Sequence, residues 1–126
     1  MTLFKSIFAS VLLGAASMAH ALDIMPYSAS ALAAAQTANQ SVALHFHADW
    51  CPTCRAQASV LQELKSEAGL PITVMVVNYD NEKQLRRSLK VRSQSVFIVY
   101  KGFVERARLA GDTSKDAIRA GLKAGL

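Results

Sequence analysis

The sequence predicts an α/β domain built on a central mixed sheet flanked by helices, and three observations carry that prediction. Segments with strand and helix periodicity follow one another in the order β-α-β-α-β-α-β-β-α. Ile72 to Val77 is a continuous apolar and β-branched run, as expected of a strand covered on both faces. A tight turn at Lys101-Gly102 joins the last two strands, which makes them antiparallel, whereas helices separate the others.

The chain begins with a segment outside this pattern. Met1 to Lys5 carries one positive charge, Ser6 to Ala16 is apolar or small, and Ala19-His20-Ala21 offers a small-x-small cleavage site. Residues 1–21 therefore read as a secretory signal peptide and residues 22–126 as the domain, with a mature terminus at Leu22. The apolar run is shorter than the about 20 residues of a membrane span. The expected location is periplasmic or secreted, where disulfides persist. The roughly 105 residues that remain suffice for one core and not two.

Residues 23–27 suit a short opening strand, and Ser28 or Ser30 can cap an alanine-rich helix running to Ala38. From Val42 to His47 the side chains alternate, so Val42, Leu44 and Phe46 share one face and Ala43, His45 and His47 the other. The next helix carries Val60, Leu61, Leu64 and Ala68 on one stripe, and Gly69-Leu70-Pro71 stops it. After the strand Ile72–Val77 come a turn at Asn78–Glu82, a helix to about Leu89, and strands at Val96–Tyr100 and Val104–Leu109. Gly111-Asp112-Thr113 leads into a last helix that packs through Ala117, Ile118, Gly121 and Leu122.

Charge is informative mainly by exclusion. The chain has 14 Lys+Arg against 9 Asp+Glu, a formal net charge of +5, with Lys5 belonging to the leader. Arg86, Arg87, Lys90 and Arg92 form the one basic cluster, and it reads as a solvated helix face. No aromatic residues interleave it, so nucleic acid is not an expected partner.

Both cysteines of the chain lie in Trp50-Cys51-Pro52-Thr53-Cys54, where the strand hands over to a helix. Three residues apart at a helix start, the two sulfurs share one face and can close a small ring. Cys51 is expected to be exposed at the positive helix end, which favours its thiolate and makes it the nucleophile. Cys54, one turn deeper, is then the resolving thiol. Pro52 fits the first turn, where its missing N–H costs nothing. A structural staple is the plainer alternative, but a loop of about four residues gains only roughly 2 kcal/mol by chain entropy. Half of a zinc site is another, to which His45 and His47 add nitrogen donors.

Trp50-Cys51-Pro52-Thr53-Cys54, preceded by a strand and opening an amphipathic helix, resembles the active site of the thioredoxin family, and a fainter similarity covers about residues 23–124. The resemblance implies a thioredoxin-like fold and an exported thiol–disulfide oxidoreductase whose partners are protein thiols and disulfides. A membrane electron donor or acceptor is a further candidate partner, a monomer is expected, and no cofactor is implied beyond the redox-active disulfide Cys51–Cys54.

Three positions depart from the family pattern. His45 stands where thioredoxins place a buried acid beneath the disulfide, and Val76 stands near the position of the lysine that partners it. His45 is then the expected base, from an ordinary imidazole pKa of about 6.5. Ser95 stands where the family has a cis-proline facing the disulfide. Serine uncovers the thiols, so His45, His47, Cys51 and Cys54 form an alternative ligand set for Zn²⁺ or Cu⁺ and a metal-binding or metal-delivery function. A non-catalytic thioredoxin-like interaction domain is the third reading.

Overall fold

A computed structural model describes residues 21–126, and the predicted signal peptide lies outside them apart from Ala21. The elements are β1 (Asp23–Pro26), α1 (Ala29–Thr37), β2 (Ser41–His47), α2 (Pro52–Leu64), β3 (Thr73–Asn78), α3 (Lys83–Ser88), β4 (Val96–Lys101), β5 (Val104–Ala110) and α4 (Lys115–Lys123). Their order is the predicted one. The strands form one sheet in the order β1-β3-β2-β4-β5. β3 runs parallel to β1 and β2, while β4 runs antiparallel to β2 and β5, so the sheet is mixed.

Alternation along β2 sorts its side chains between two cores, as predicted. Val42, Leu44 and Phe46 join Met75, Val77, Ile98 and Ala35 of α1, with Leu85 of α3 packed against them. Ala43 faces the other way, into a cluster with Val74, Phe97, Leu61 and Leu64 of α2, and Ile118 and Leu122 of α4. His45 lies fully buried on this second face. A central strand wet on neither side holds its neighbours in fixed register, and here His45 pairs with Val76 and Phe97.

Two helix caps come from the expected residue type, since Ser28 Oγ accepts from Ala31 N–H and Ser114 Oγ from Ala117 N–H. α2 is shorter than its apolar stripe suggests. It ends at Leu64, because Ser66 Oγ donates back to the Glu63 carbonyl and Glu67 N–H bonds to the Leu64 carbonyl, which tightens the last turn. Ala68 is consequently exposed rather than part of the stripe. The basic cluster needs a similar correction: Arg87, Lys90 and Arg92 are solvated, but the Arg86 guanidinium stacks 3.9 Å over the Tyr79 ring.

The β4–β5 hairpin turns at Gly102, whose φ of +56° suits glycine. A Cβ there would lie 2.5 Å from Asn39 Oδ1, so the hairpin tip seats closely on the loop after α1. At the same end of the sheet a cleft of about 510 Å³ is lined by Ala21, Asp23, Ser41, Lys101 and Leu126, among others. The carboxy-terminal turn is tied there by Ser41 Oγ, which donates to the Gly125 carbonyl. The two cysteines lie at the opposite end, beyond the last residue of β2.

Candidate active site

Sheet register and one helix start bring the site together. β2 ends at His47, Ala48-Asp49-Trp50 turns the chain, and Cys51 is the N-cap residue of α2 with Pro52 in the first turn. Its sulfur takes the place of a capping oxygen, accepting from the Cys54 backbone N–H at 3.2 Å. Free N–H groups at a helix start favour a negative group there, so the cap itself favours thiolate on Cys51.

Both cysteines are free thiols, and both are buried. Cys51 is 3% exposed and Cys54 not at all, which corrects the expectation of an open Cys51. The cover is Ala48 and Tyr79 around the pair and the Ser95 loop above it. Burial pushes the Cys51 thiol up, but hydrogen bonds from the Cys54 side chain, Ser95, the Cys54 backbone and Gln94 outweigh it and bring its pKa to about 7. Burial pushes Cys54 up, and the neighbouring Cys51 adds to the rise. The pair is therefore split, with charge favoured on Cys51 and the proton on Cys54.

Ser95 sits against both sulfurs. Its Oγ is 3.2 Å from Cys51 Sγ and 3.1 Å from Cys54 Sγ. No peptide bond among the described residues is cis, and Ser95 adopts φ +66°, the left-handed region. Three backbone interactions hold it: its N–H donates to the Phe46 carbonyl at 2.9 Å, and its carbonyl accepts from Gly111 N–H at 2.9 Å and Gln57 Nε2 at 3.0 Å. A proline at this position has no N–H to give Phe46.

Gln57 is the functional residue that the sequence does not single out. It is fully buried, and its Nε2 also donates to the Asp112 carbonyl at 2.9 Å while its Oε1 lies 2.9 Å from His45 Nε2. One amide thus joins α2, β2 and two loops. The available signal is a polar side chain three positions after Cys54, among the buried positions that Cys54, Leu61 and Leu64 mark on α2.

The histidines are placed where alternation puts them, but not for the expected task. His45 stacks on Phe97 at 4.3 Å between ring centroids, and burial lowers its pKa to about 4, against the upward pull of the Gln57 hydrogen bond. It makes no hydrogen bond to either sulfur among the described residues, so the expectation of His45 as the base is corrected. His47 Nε2 is 2.9 Å from Asp49 Oδ1. The alternative metal set fails on geometry, because among the described residues no group of three or more His, Cys, Asp or Glu side chains is placed to hold an ion. His45 is turned to Gln57 and His47 to Asp49, while the sulfurs are taken up by Ser95.

Trp50 is 58% exposed and its indole N–H donates to Asp80 Oδ2 at 2.8 Å, presenting a fixed aromatic face beside the thiols. Pro52 is exposed and Thr53 half-buried at the same rim.

The comparisons with known proteins agree with this geometry. The sequence profile described as Thioredoxin matches residues 28–124. The chain is 31% identical over 90 residues to the bifunctional thioredoxin reductase/thioredoxin of Mycobacterium leprae, covering 71% of this chain and 20% of that protein. It is 33% identical over 75 residues to the thiol:disulfide interchange protein TxlA homolog of Synechocystis sp., covering 60% of this chain and 42% of that protein. The chain thus spans less than half the length of either relative. Among solved structures, Trxlp from Edwardsiella tarda superposes with a TM-score of 0.74 at 32% identity, covering 79% of this chain and 98% of that one.

Proposed function

Because the chain belongs to the thioredoxin family, whose members are thiol–disulfide oxidoreductases acting on protein disulfides, we propose that it exchanges disulfides with protein partners through Cys51 and Cys54. The observation that carries this reading is the split pair, a low-pKa thiol capping α2 beside a high-pKa one. A nucleophile with a pKa close to ambient pH combines a useful thiolate fraction with retained reactivity.

The Cys51 thiolate gives its electron pair to one sulfur of a partner disulfide. The partner S–S bond breaks, and its other sulfur leaves as a thiolate that takes a proton. Cys54, on losing its proton, attacks Cys51 Sγ, the mixed disulfide breaks, and the partner leaves with both sulfurs reduced while Cys51 and Cys54 are joined. Two electrons pass to the partner, and the reverse sequence oxidises a partner dithiol. The electron carrier is the cysteine pair itself, without a further cofactor.

The residues 1–21 that read as a signal peptide support a periplasmic or secreted setting for the 22–126 domain, where a membrane electron donor or acceptor would recharge the pair. The test is turnover of a protein disulfide by the purified domain with a small dithiol as reductant. Cys51→Ser is expected to abolish turnover, and Cys54→Ser to accumulate mixed disulfides visible on a non-reducing gel. Faster alkylation of Cys54 than of Cys51 at neutral pH would reverse the assigned roles.

A further inference from the structure

A serine hydroxyl has one proton to donate and lone pairs to accept with, and here it stands within hydrogen-bonding distance of two sulfurs at once. We infer that Ser95 is a catalytic residue that bridges the pair, donating its O–H to the Cys51 thiolate while its oxygen shares the S–H of Cys54 with the Cys51 sulfur. The inference rests on the thiol–disulfide reading of the same site and adds what keeps the two sulfurs in opposite protonation states, while the Cys54 backbone N–H capping Cys51 sets which of them carries the charge.

The arrangement is directional. A hydroxyl that gives its only proton to Cys51 can accept only from Cys54, so one sulfur is held as thiolate and the other as thiol. Reversing the charges would require turning the hydroxyl about and moving the proton between sulfurs. The bridge lasts while Cys51 is charged. When Cys51 gives its electron pair to a partner sulfur and becomes neutral, the hydroxyl loses its strong acceptor, and the Cys54 proton is no longer held by a polarised oxygen. The proton that Cys54 then loses ends on the partner sulfur that departs from Cys51, and the one taken by the first departing sulfur comes from water, so charge and protons balance over the two steps.

The backbone is built for this placement. Serine in the left-handed region is uncommon and costs energy, and such strain persists where surrounding contacts over-determine it. Those contacts are the three bonds to Phe46, Gly111 and Gln57. The side chain is buried, which keeps water from competing for the sulfurs. The other titratable side chains around the pair are His45 and His47 on β2, Asp49 before α2, Arg55 on α2, Tyr79 after β3 and Asp112 after β5. Among the described residues, none of them hydrogen-bonds to either sulfur. Ser95 is therefore the side chain outside the pair that both sulfurs share.

The experiment is the pH dependence of Cys51 alkylation in reduced wild type, Ser95→Gly and Ser95→Ala, with Ser95→Thr as the variant that keeps the hydroxyl. Glycine accepts the left-handed backbone without strain, so Ser95→Gly separates loss of the hydroxyl from loss of the fold. Both truncations are expected to move the midpoint up by about one pH unit, slowing alkylation at pH 6 by about tenfold. Measured at pH 9, above both midpoints, they are also expected to be about tenfold harder to reduce against a reference dithiol, about 30 mV. A folded Ser95→Thr is expected to stay near wild type. An unchanged midpoint in Ser95→Gly would overturn the inference, even if wild type turns over protein disulfides. Absence of turnover in wild type, with the midpoint shifted as expected, would count instead against the oxidoreductase reading.

Discussion

At position 45 an imidazole is enclosed between Phe97 and Gln57, and protonating it there means burying a charge with no opposite charge beside it. Burial lowers its pKa from 6.5 to about 4. The unfolded chain therefore takes up this proton near pH 6.5 and the folded one only near 4. Stability from this group is full above pH 6.5 and declines as pH falls toward 4, by roughly 3 kcal/mol in all. Denaturant titrations of the wild type at stepped pH should show this decline, and His45→Gln should flatten it. The Glu67 carboxylate, held low chiefly by Arg119, titrates in a separate window below pH 4.5, so the two effects can be told apart. A slope between pH 6.5 and 4 that survives in His45→Gln would assign the acid sensitivity elsewhere.

At the scale of elements, Gln57 ties α2 to β2 and to the loops carrying Ser95 and Asp112. Gln57→Leu keeps the apolar bulk and removes three hydrogen bonds. It should lower stability by about 3 kcal/mol, at about 1 kcal/mol for each bond, measurable by chemical denaturation. Because the Ser95 carbonyl is one of the acceptors, alkylation of Cys51 should slow as well. Much of the element structure was legible in the sequence, since alternation in Val42–His47 and the apolar run from Ile72 are local signals that a buried sheet enforces. The helix end at Leu64 was not, because a serine hydroxyl competing for one carbonyl decided it. Nor was the cover over Cys51, which comes from Ser95, 44 residues away along the chain. The pattern that marks Cys51 and Cys54 is contiguous, whereas what tunes them is assembled by approach of distant loops.

For the whole molecule, the predicted processing point borders the core. Leu22 is 3% exposed and packs in the cluster that includes Leu64, Leu70 and Ile72, while Asp23 N–H bonds to the Ile72 carbonyl. A mature terminus at Leu22 keeps this side chain in place, and removing one residue more would empty its site. Intact mass of exported protein should correspond to residues 22–126, and Leu22→Ala should cost about 2 kcal/mol in denaturant titration. A product that retains residues 1–21 would count against the leader. Ala21 and Leu126 line one cleft, at the end of the sheet where β2 begins. The thiols lie past its other end, across a seven-residue strand that spans roughly 20 Å. A tether joined at Leu126 therefore leaves the dithiol facing outward, and the domain can be immobilised on a bead, an electrode or a fused carrier with its reactive end still open to large partners.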